Sequence, residues 1–423
     1  MHRLKNTIRG YAWGSPTLMS DYLGRAASGQ PEAEMWLGAH PGAPSIAVSD
    51  HQETRLDELV ARDPAGLLGA ASRQAFGDGL PFLMKLLAAG SPLSLQVHPT
   101  REQAARGFAD EDAKGIPRNA PHRNYKDSNH KPEMIVALTD FAALCGFRPP
   151  HESAQIFGLL AAALPQTQPQ AFAFLNKLHD TLRGATSSAD SAVRTTFARL
   201  IQGGPDVTES VDAVAELLAR GIPQSPLAVE LATALELNRA YPGDPGVLIS
   251  LMLNRVTLRP GEAVYLPAGN IHAYLHGLGI EVMASSDNVL RGGLTTKHVD
   301  TAELLRIIDF QPLPVPLIEA SVPQPGLQVW EPPFDEFQLQ RIVLTQGQRS
   351  IQLPQESPVI VLVVSGGAVL TSVNQSLPLE RGESVFIGAQ EPRVSIQANG
   401  TEPLIAFVTT LARSVTVPVA SAS

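Results

Sequence analysis

One cysteine, Cys145, stands in 423 residues, so an intrachain disulfide is excluded and a reducing compartment is expected. Long apolar runs are missing too. No stretch approaches the roughly 20 residues that a membrane helix needs, and the start, M-H-R-L-K-N-T-I-R-G, has no segment suited to export. Basic residues are outnumbered, 32 Lys and Arg against 41 Asp and Glu, for a net charge of −9. That balance argues against nucleic acid or an anionic membrane as partner. A small anionic substrate is still allowed, because local cations can oppose the global sign. Aromatics are few, at 5%, yet 44% of the residues are hydrophobic, enough for a large core. The length suggests two to three domains. The expectation is a cytoplasmic, acidic, multi-domain protein.

Proline and glycine, by contrast, are plentiful at 35 and 34. They cluster between short β-branched runs, as in β-rich domains. Residues 55–75 read as two short helices, and 81–89 and 94–98 as neighbouring strands, with another buried strand at 134–138. From His151 to about Ala240 the texture changes to Ala, Leu and Gln with apolar spacings of three and four, predicting an insertion of four or five amphipathic helices. After P-G-D-P-G, 242–246, β character returns. An internal repeat then stands out: R-P-G-E-A-V-Y-L-P-A-G-N-I-H, 259–272, is echoed by E-R-G-E-S-V-F-I-G-A-Q-E-P-R, 380–393. A Gly-Glu turn opening an extended run suggests one β-sandwich unit used twice. Eleven residues after the glycine stands His272 in the first copy and Arg393 in the second, so the second copy reads as structural. The fold class expected is mainly β with an α-helical insertion. Residues 1–150 and 244–320 would form a catalytic cupin-like jelly roll, 151–243 the helical insertion, and 321–423 a degenerate cupin-like β-sandwich domain.

The first copy has the spacing G-x5-P-x-G-x2-H, which resembles the second half of the cupin motif, where the histidine binds a metal. The usual upstream H-x-H is absent. Nearest to it is S-L-Q-V-H-P, 94–99, in which Gln96 and His98 share a strand face. In N-H-K-P-E-M, 129–134, Pro132 biases Lys131 toward extended backbone. Lys131 and Glu133 then share a face, with His130 turned away. Gln96, His98, Glu133 and His272 together offer two imidazoles, a carboxylate and an amide oxygen. That set suits Zn2+ or a similar borderline cation with positions open to substrate. Glutamine is a weak neutral ligand and would leave the cation more Lewis-acidic than a third histidine. His2, His40, His51, His122, His151, His179 and His298 lack ligand spacing. A further polar segment, 280–298, carries Glu281, Asp287, Arg291 and Lys297. Arg291 before two glycines suits a guanidinium beside a phosphate or developing enolate. Each residue also has an ordinary reading: His98 as a core histidine, Glu133 as a surface carboxylate, Arg291 as the ion-pair partner of Asp287.

Seven segments in order resemble type I mannose-6-phosphate isomerase, the zinc-dependent phosphomannose isomerase family. They are Y-A-W-G-S (11–15), A-E-M-W-L-G-A-H-P (33–41), P-F-L-M-K (81–85), L-S-L-Q-V-H-P (93–99), R-N-Y-K-D-S-N-H-K-P-E (123–133), P-A-G-N-I-H-A-Y (267–274) and E-V-M-A-S-S-D-N-V-L-R-G-G-L-T-T-K (281–297). They are spread over the first 300 residues, and the last 120 match only in architecture. The resemblance implies Gln96, His98, Glu133 and His272 as ligands of one Zn2+ per chain, and Arg291 as the catalytic arginine. It also implies a pocket lined by Trp13, Lys85, Ser94, Lys131, Glu281, Asp287 and Lys297. Two departures are visible. Thr296 stands where the family has proline, and His276 stands where general cupins carry asparagine. The implied reaction interconverts mannose 6-phosphate and fructose 6-phosphate by proton transfer through an enediol(ate), with Glu281 and Lys131 both open as proton carriers and Arg291 open as catalyst or phosphate clamp. The expected partner is a small sugar phosphate, taken up by a monomer. Two rivals remain: an Fe(II) cupin oxygenase, poorly suited to the cations, and a non-catalytic sugar-phosphate sensor.

Overall fold

A computed structural model describes residues 1–49, 52–184 and 189–416. His51, the A-T-S-S stretch at 185–188 and the last seven residues of the C-terminal unit lie outside the described residues. The strands form sheets of eleven, nine and four. The spine of the eleven-stranded sheet is the long strand His272–Ala284. Its second half pairs with Phe82–Ala89 and Glu133–Ala137, its first half with Phe141–Phe147 and Gln96–Val97. The exchange of partners needs Gly277, at φ 124°, where a Cβ would meet the Asp140 carbonyl oxygen at 2.7 Å.

Strand periodicity decides what faces the interior. In Phe82–Ala89, Phe82, Met84, Leu86 and Ala88 pack against the nine-stranded sheet. Leu87 and Ala89 turn into the interior of the first sandwich, and Lys85 shares their face. The same alternation sends Met134 and Val136 outward and Glu133 inward with Ile135. On the other side, Leu95, Val97, Ala273 and Leu275 pack against the helices. Gln96, His98, His272 and Tyr274 are thereby left on the inner face.

The insertion consists of helices Pro150–Ala163, Pro169–Arg183, Ala189–Ile201, Pro205–Arg220 and Ala228–Ala240. Three of them open on proline, whose missing N–H costs nothing in a first turn. The C-terminal sandwich closes over an aliphatic core that includes Val361, Val363, Leu370 and Ile396. A further core joins the two sandwiches, with Ile280 and Val282 against Trp330, Leu362, Phe386 and Phe407. Each such buried side chain contributes roughly 1.5–3 kcal/mol, so the two units form one packed body.

One expectation changes, and one helix was not anticipated. The stretches 81–89 and 94–98 are not neighbours: both pair with His272–Ala284, at opposite ends, because the chain leaves the sheet at Gly90-Ser91-Pro92. The helix Arg101–Ala113 carries no apolar stripe, and only Ala104 and Glu111 of it are buried, so periodicity could not find it. Its start was readable in T-R-E-Q, where Thr100 and Gln103 form a capping box. The three-part division is our proposal for the folding units, and one sheet crosses it. The strands His2–Lys5, Ile46–Ser49 and Gln52–Arg55 lie in the nine-stranded sheet, with Leu4 opposite Ser384.

Candidate metal centre

His98, Glu133 and His272 each present a ligand atom, all within 4.8 Å of one another, and all three residues are buried. The ladder accounts for this. His272 lies opposite Gln96, two residues before His98, while Glu133 heads the strand paired with Met283 and Leu266. His98 Nδ1 lies 2.8 Å from the Asn288 carbonyl oxygen, and His272 Nδ1 lies 3.0 Å from that of Asn270. A carbonyl can only accept, so both Nδ1 atoms donate and both Nε2 lone pairs point inward. The Nε2 atoms lie 3.4 and 3.5 Å from the two separate oxygens of Glu133. Around a tetrahedral cation with ligands at about 2.1 Å, neighbouring ligand atoms are about 3.4 Å apart, so the spacing fits. His98 Nε2 is buried with no hydrogen-bond partner, an orphaned acceptor that a cation would satisfy.

The electrostatics agree. Burial pushes His98 down to about 4, so the ring is neutral at pH 7. Burial alone would raise Glu133, but Lys131 and His98 hold its carboxyl well below the usual range. Both are in the state that metal ligation requires. The two histidines and one carboxylate accommodate a divalent cation with open positions.

Around this group the other expected residues fall into two clusters. Lys131 reaches Glu133 at 2.7 Å, and His130 points the other way, as alternation requires. Lys85 pairs with its cross-strand neighbour Glu281 at 2.8 Å and with Glu34 at 3.4 Å. Burial opposes the Lys85 charge, but these carboxylates raise its ammonium above the ordinary value. Burial raises Glu281. The second cluster is cationic. Arg291 lies opposite Gln96 in the ladder and has no ion-pair partner among the described residues. Lys297 is lowered chiefly by the Arg291 charge, and Lys126 chiefly by burial, with Arg123 and Arg291 adding. Ser94 is half-buried on the Gln96 face. Trp13 packs at the edge of the inner core of the first sandwich, stacked on Tyr11 at 5.7 Å.

Asp287 does not pair with Arg291. It is half exposed and lies 3.5 Å from His40 Nε2. His40, Glu34 and Trp36 escaped the reading of the sequence as site residues, although all three lie within A-E-M-W-L-G-A-H-P. Trp36 donates to Glu34 at 2.7 Å, and Lys85 sits 5.2 Å from its ring centre. Asn288 was missed as well. Fully buried, it accepts from Lys126 and donates to the Asn129 carbonyl, both at 2.7 Å, tying the 126–129 loop to His98. A cavity of about 720 Å³ opens elsewhere, beside the helix Arg101–Ala113, and contains none of the expected site residues.

Comparison with known proteins meets this geometry. Residues 1–150 match the phosphomannose isomerase type I catalytic domain, and residues 333–406 the mannose-6-phosphate isomerase cupin domain. The chain is similar to the mannose-6-phosphate isomerase of Salmonella typhimurium, 38% identical over 405 residues, which cover 95% of this chain and 98% of that one. Among solved structures, a point variant of the Salmonella typhimurium phosphomannose isomerase superposes with a TM-score of 0.85 at 35% identity, covering 97% of this chain and 99% of the other. A mannose 6-phosphate isomerase bound with zinc and yttrium gives 0.84 at 36% identity, with the same coverage.

Proposed function

The chain belongs to the type I phosphomannose isomerase family, and on that premise we propose that it interconverts mannose 6-phosphate and fructose 6-phosphate with one zinc ion. The observation that carries this reading is the pairing of the His98, Glu133 and His272 group with Arg291, a cation that faces Gln96 in the ladder and has no ion-pair partner among the described residues. We assign Gln96, His98, Glu133 and His272 as ligands, the glutamine through its amide oxygen. Bound there, zinc supplies a Lewis acid that lowers the cost of negative charge on the substrate oxygens.

The residues of the chain do the rest. The open-chain sugar lies with its carbonyl and adjacent hydroxyl toward the ligand group, and a proton moves between C2 and C1 on one face through an enediol(ate). Glu281 and Lys131 are the candidates to carry that proton. Glu281 is favoured by its raised pKa, which brings a buried carboxylate closer to the basicity a general base needs at neutral pH. Lys131 is held 2.7 Å from Glu133, which restrains it as a base. Arg291 neutralises the developing oxyanion or clamps the phosphate. Because Lys85 is committed to Glu281 and Glu34, the phosphate is left to Ser94, Lys297 and Arg291, with Lys85 tuning Glu281. Trp13 and Asp287 line the entrance. Two histidines and a carboxylate also suit a non-haem Fe(II) oxygenase, but such a site has no use for the cations beside Arg291.

A coupled assay for fructose 6-phosphate, run with and without a chelator, tests the reading. Activity should disappear with the chelator and return with zinc. Activity that survives full metal removal, or oxygen uptake in place of isomerisation, would refute it. We place the enzyme in the cytoplasm as a monomer. Its one thiol, Cys145, is buried and pushed up to about 12 by burial, and none of the described helices is long and apolar enough to cross a membrane.

A further inference from the structure

Among the described residues, the C-terminal unit buries a single charged side chain, Glu336. Its carboxylate is 4% exposed and has left its own domain for the catalytic one. Oε1 lies 2.6 Å from His130 Nε2 and also bonds Arg101 Nη2, and these two partners are 2.8 Å from each other. The contacts span 206 and 235 residues of sequence. The position of the two partners is the informative part. Arg101 stands three residues after His98, and His130 three residues before Glu133.

We propose that Glu336 is a positioning residue for the metal centre, joining Arg101 to His130 and thereby setting the distance between the His98 and Glu133 segments. Both links are short and stiff. His98 is followed by Pro99 and then by Thr100, the side-chain cap of the helix that Arg101 begins. His130 is joined to Glu133 through Lys131 and Pro132. Proline fixes one backbone angle in each link, so anchoring the outer end restrains the inner one. Alternation then works for the site: with His130 held outward on Glu336, Lys131 and Glu133 are directed inward together. The anchor is itself rigid. Phe337 is fully buried, and Phe334 packs at 5.8 Å on Tyr265, whose strand pairs with that of Glu133. A lone charge inside a neutral domain is retained only where it is paired, and here both partners belong to the other domain. The C-terminal copy, which shows no ligand group among its described residues, thus takes part in building the metal site of the first.

The inference rests on His98 and Glu133 being ligands, and the test separates the two claims. Zinc affinity is measured by chelator competition on the purified full chain, beside thermal unfolding and steady-state kinetics. Glu336→Gln keeps the shape and removes the charge. It should bind zinc about tenfold more weakly, in the range typical of lost outer-sphere support, with kcat lowered and KM for the sugar phosphate little changed. Arg101→Gln, at a half-exposed position, should do the same, and the double variant should add little to either. Glu331→Gln breaks a surface ion pair with Arg413 in the same domain and should leave zinc affinity unaltered. Wild-type affinity and kcat in Glu336→Gln, or additive losses in the double variant, would overturn the inference. If Glu336→Gln does not fold, Arg101→Gln decides alone. Should His98→Ala keep its zinc, the ligand assignment fails instead.

Discussion

The two β-sandwich copies differ less in fold than in what they bury. The first keeps Glu34, His40, Lys85, His98, Lys131, Glu133, His272 and Glu281 away from solvent, while among the described residues of the second Glu336 is the one buried charge and the interior is mainly aliphatic. Their ladders can be laid side by side. In the first, S-L-Q-V-H brings Gln96 opposite His272. In the second, S-I-Q-L-P brings Gln352 opposite Ser395. The glutamine is common to both, but Pro354 stands two residues on where His98 does in the first, and Gln352 faces Ser395, with Arg393 at the repeat position of His272. A glutamine on this strand is therefore no mark of a site by itself; the histidines and the carboxylate make it one. Burying charges at close range costs stability unless every member is matched, and the catalytic copy matches them pairwise: Lys85 with Glu281 and Glu34, Lys131 with Glu133.

Converting the first copy toward the second should have the largest effect. His272→Ala, which on our assignment takes away a ligand, should lower zinc content and turnover together, by about a thousandfold or more, because several kcal/mol of charge stabilisation would go with the metal. Metal content and isomerase activity measured on one preparation check this, and an active, zinc-free variant would refute it. Next comes Arg291→Ala, which separates metal binding from chemistry. Turnover should fall about 100- to 1,000-fold, the usual loss for one oxyanion-stabilising donor, with zinc still near one per chain. Unchanged turnover would remove Arg291 from the mechanism.

The smallest effect concerns a brace on the first copy. His276, on the long strand of the first, bonds Glu236 of the helical insertion. That hydrogen bond raises His276 above 6.5, against the opposing effect of burial. The charged pair therefore stabilises the fold fully below about pH 6.5, and its contribution is lost as pH rises through the raised value. Both partners are more than a third exposed, so the gain is only about 0.5 kcal/mol. Thermal unfolding of wild type and His276→Gln should differ at pH 6 and converge in mildly alkaline buffer. A constant difference would mean that the pair does not titrate as described.

Much of the site could be read along the chain because strand periodicity is local. Gln96 with His98, and Lys131 with Glu133 against an outward His130, follow from alternation and from two prolines. The family resemblance joined those segments to His272, and the structure brings His98, Glu133 and His272 within ligand distance. The helical insertion was legible for the same reason, its apolar period being strong. The helix Arg101–Ala113 was not, since it buries almost nothing and only its cap identifies it. The ordinary reading of Arg291 as the partner of Asp287 did not survive, because four residues of sequence say nothing about His40, which lies 247 positions from Asp287 and takes that contact.

Composition and periodicity thus determined the class of fold, the helical insertion and the faces of the short segments that carry His98 and Glu133, because each depends on residues a few positions apart, while the long-range repeat pointed to a second copy. Only the tertiary structure decided which charges neutralise one another: Lys85 with Glu281 and Glu34, His40 with Asp287, and Glu336 with Arg101 and His130 across the domain boundary. Those pairings depend on distance in space, and a buried charge takes whichever partner packing brings within a few ångströms.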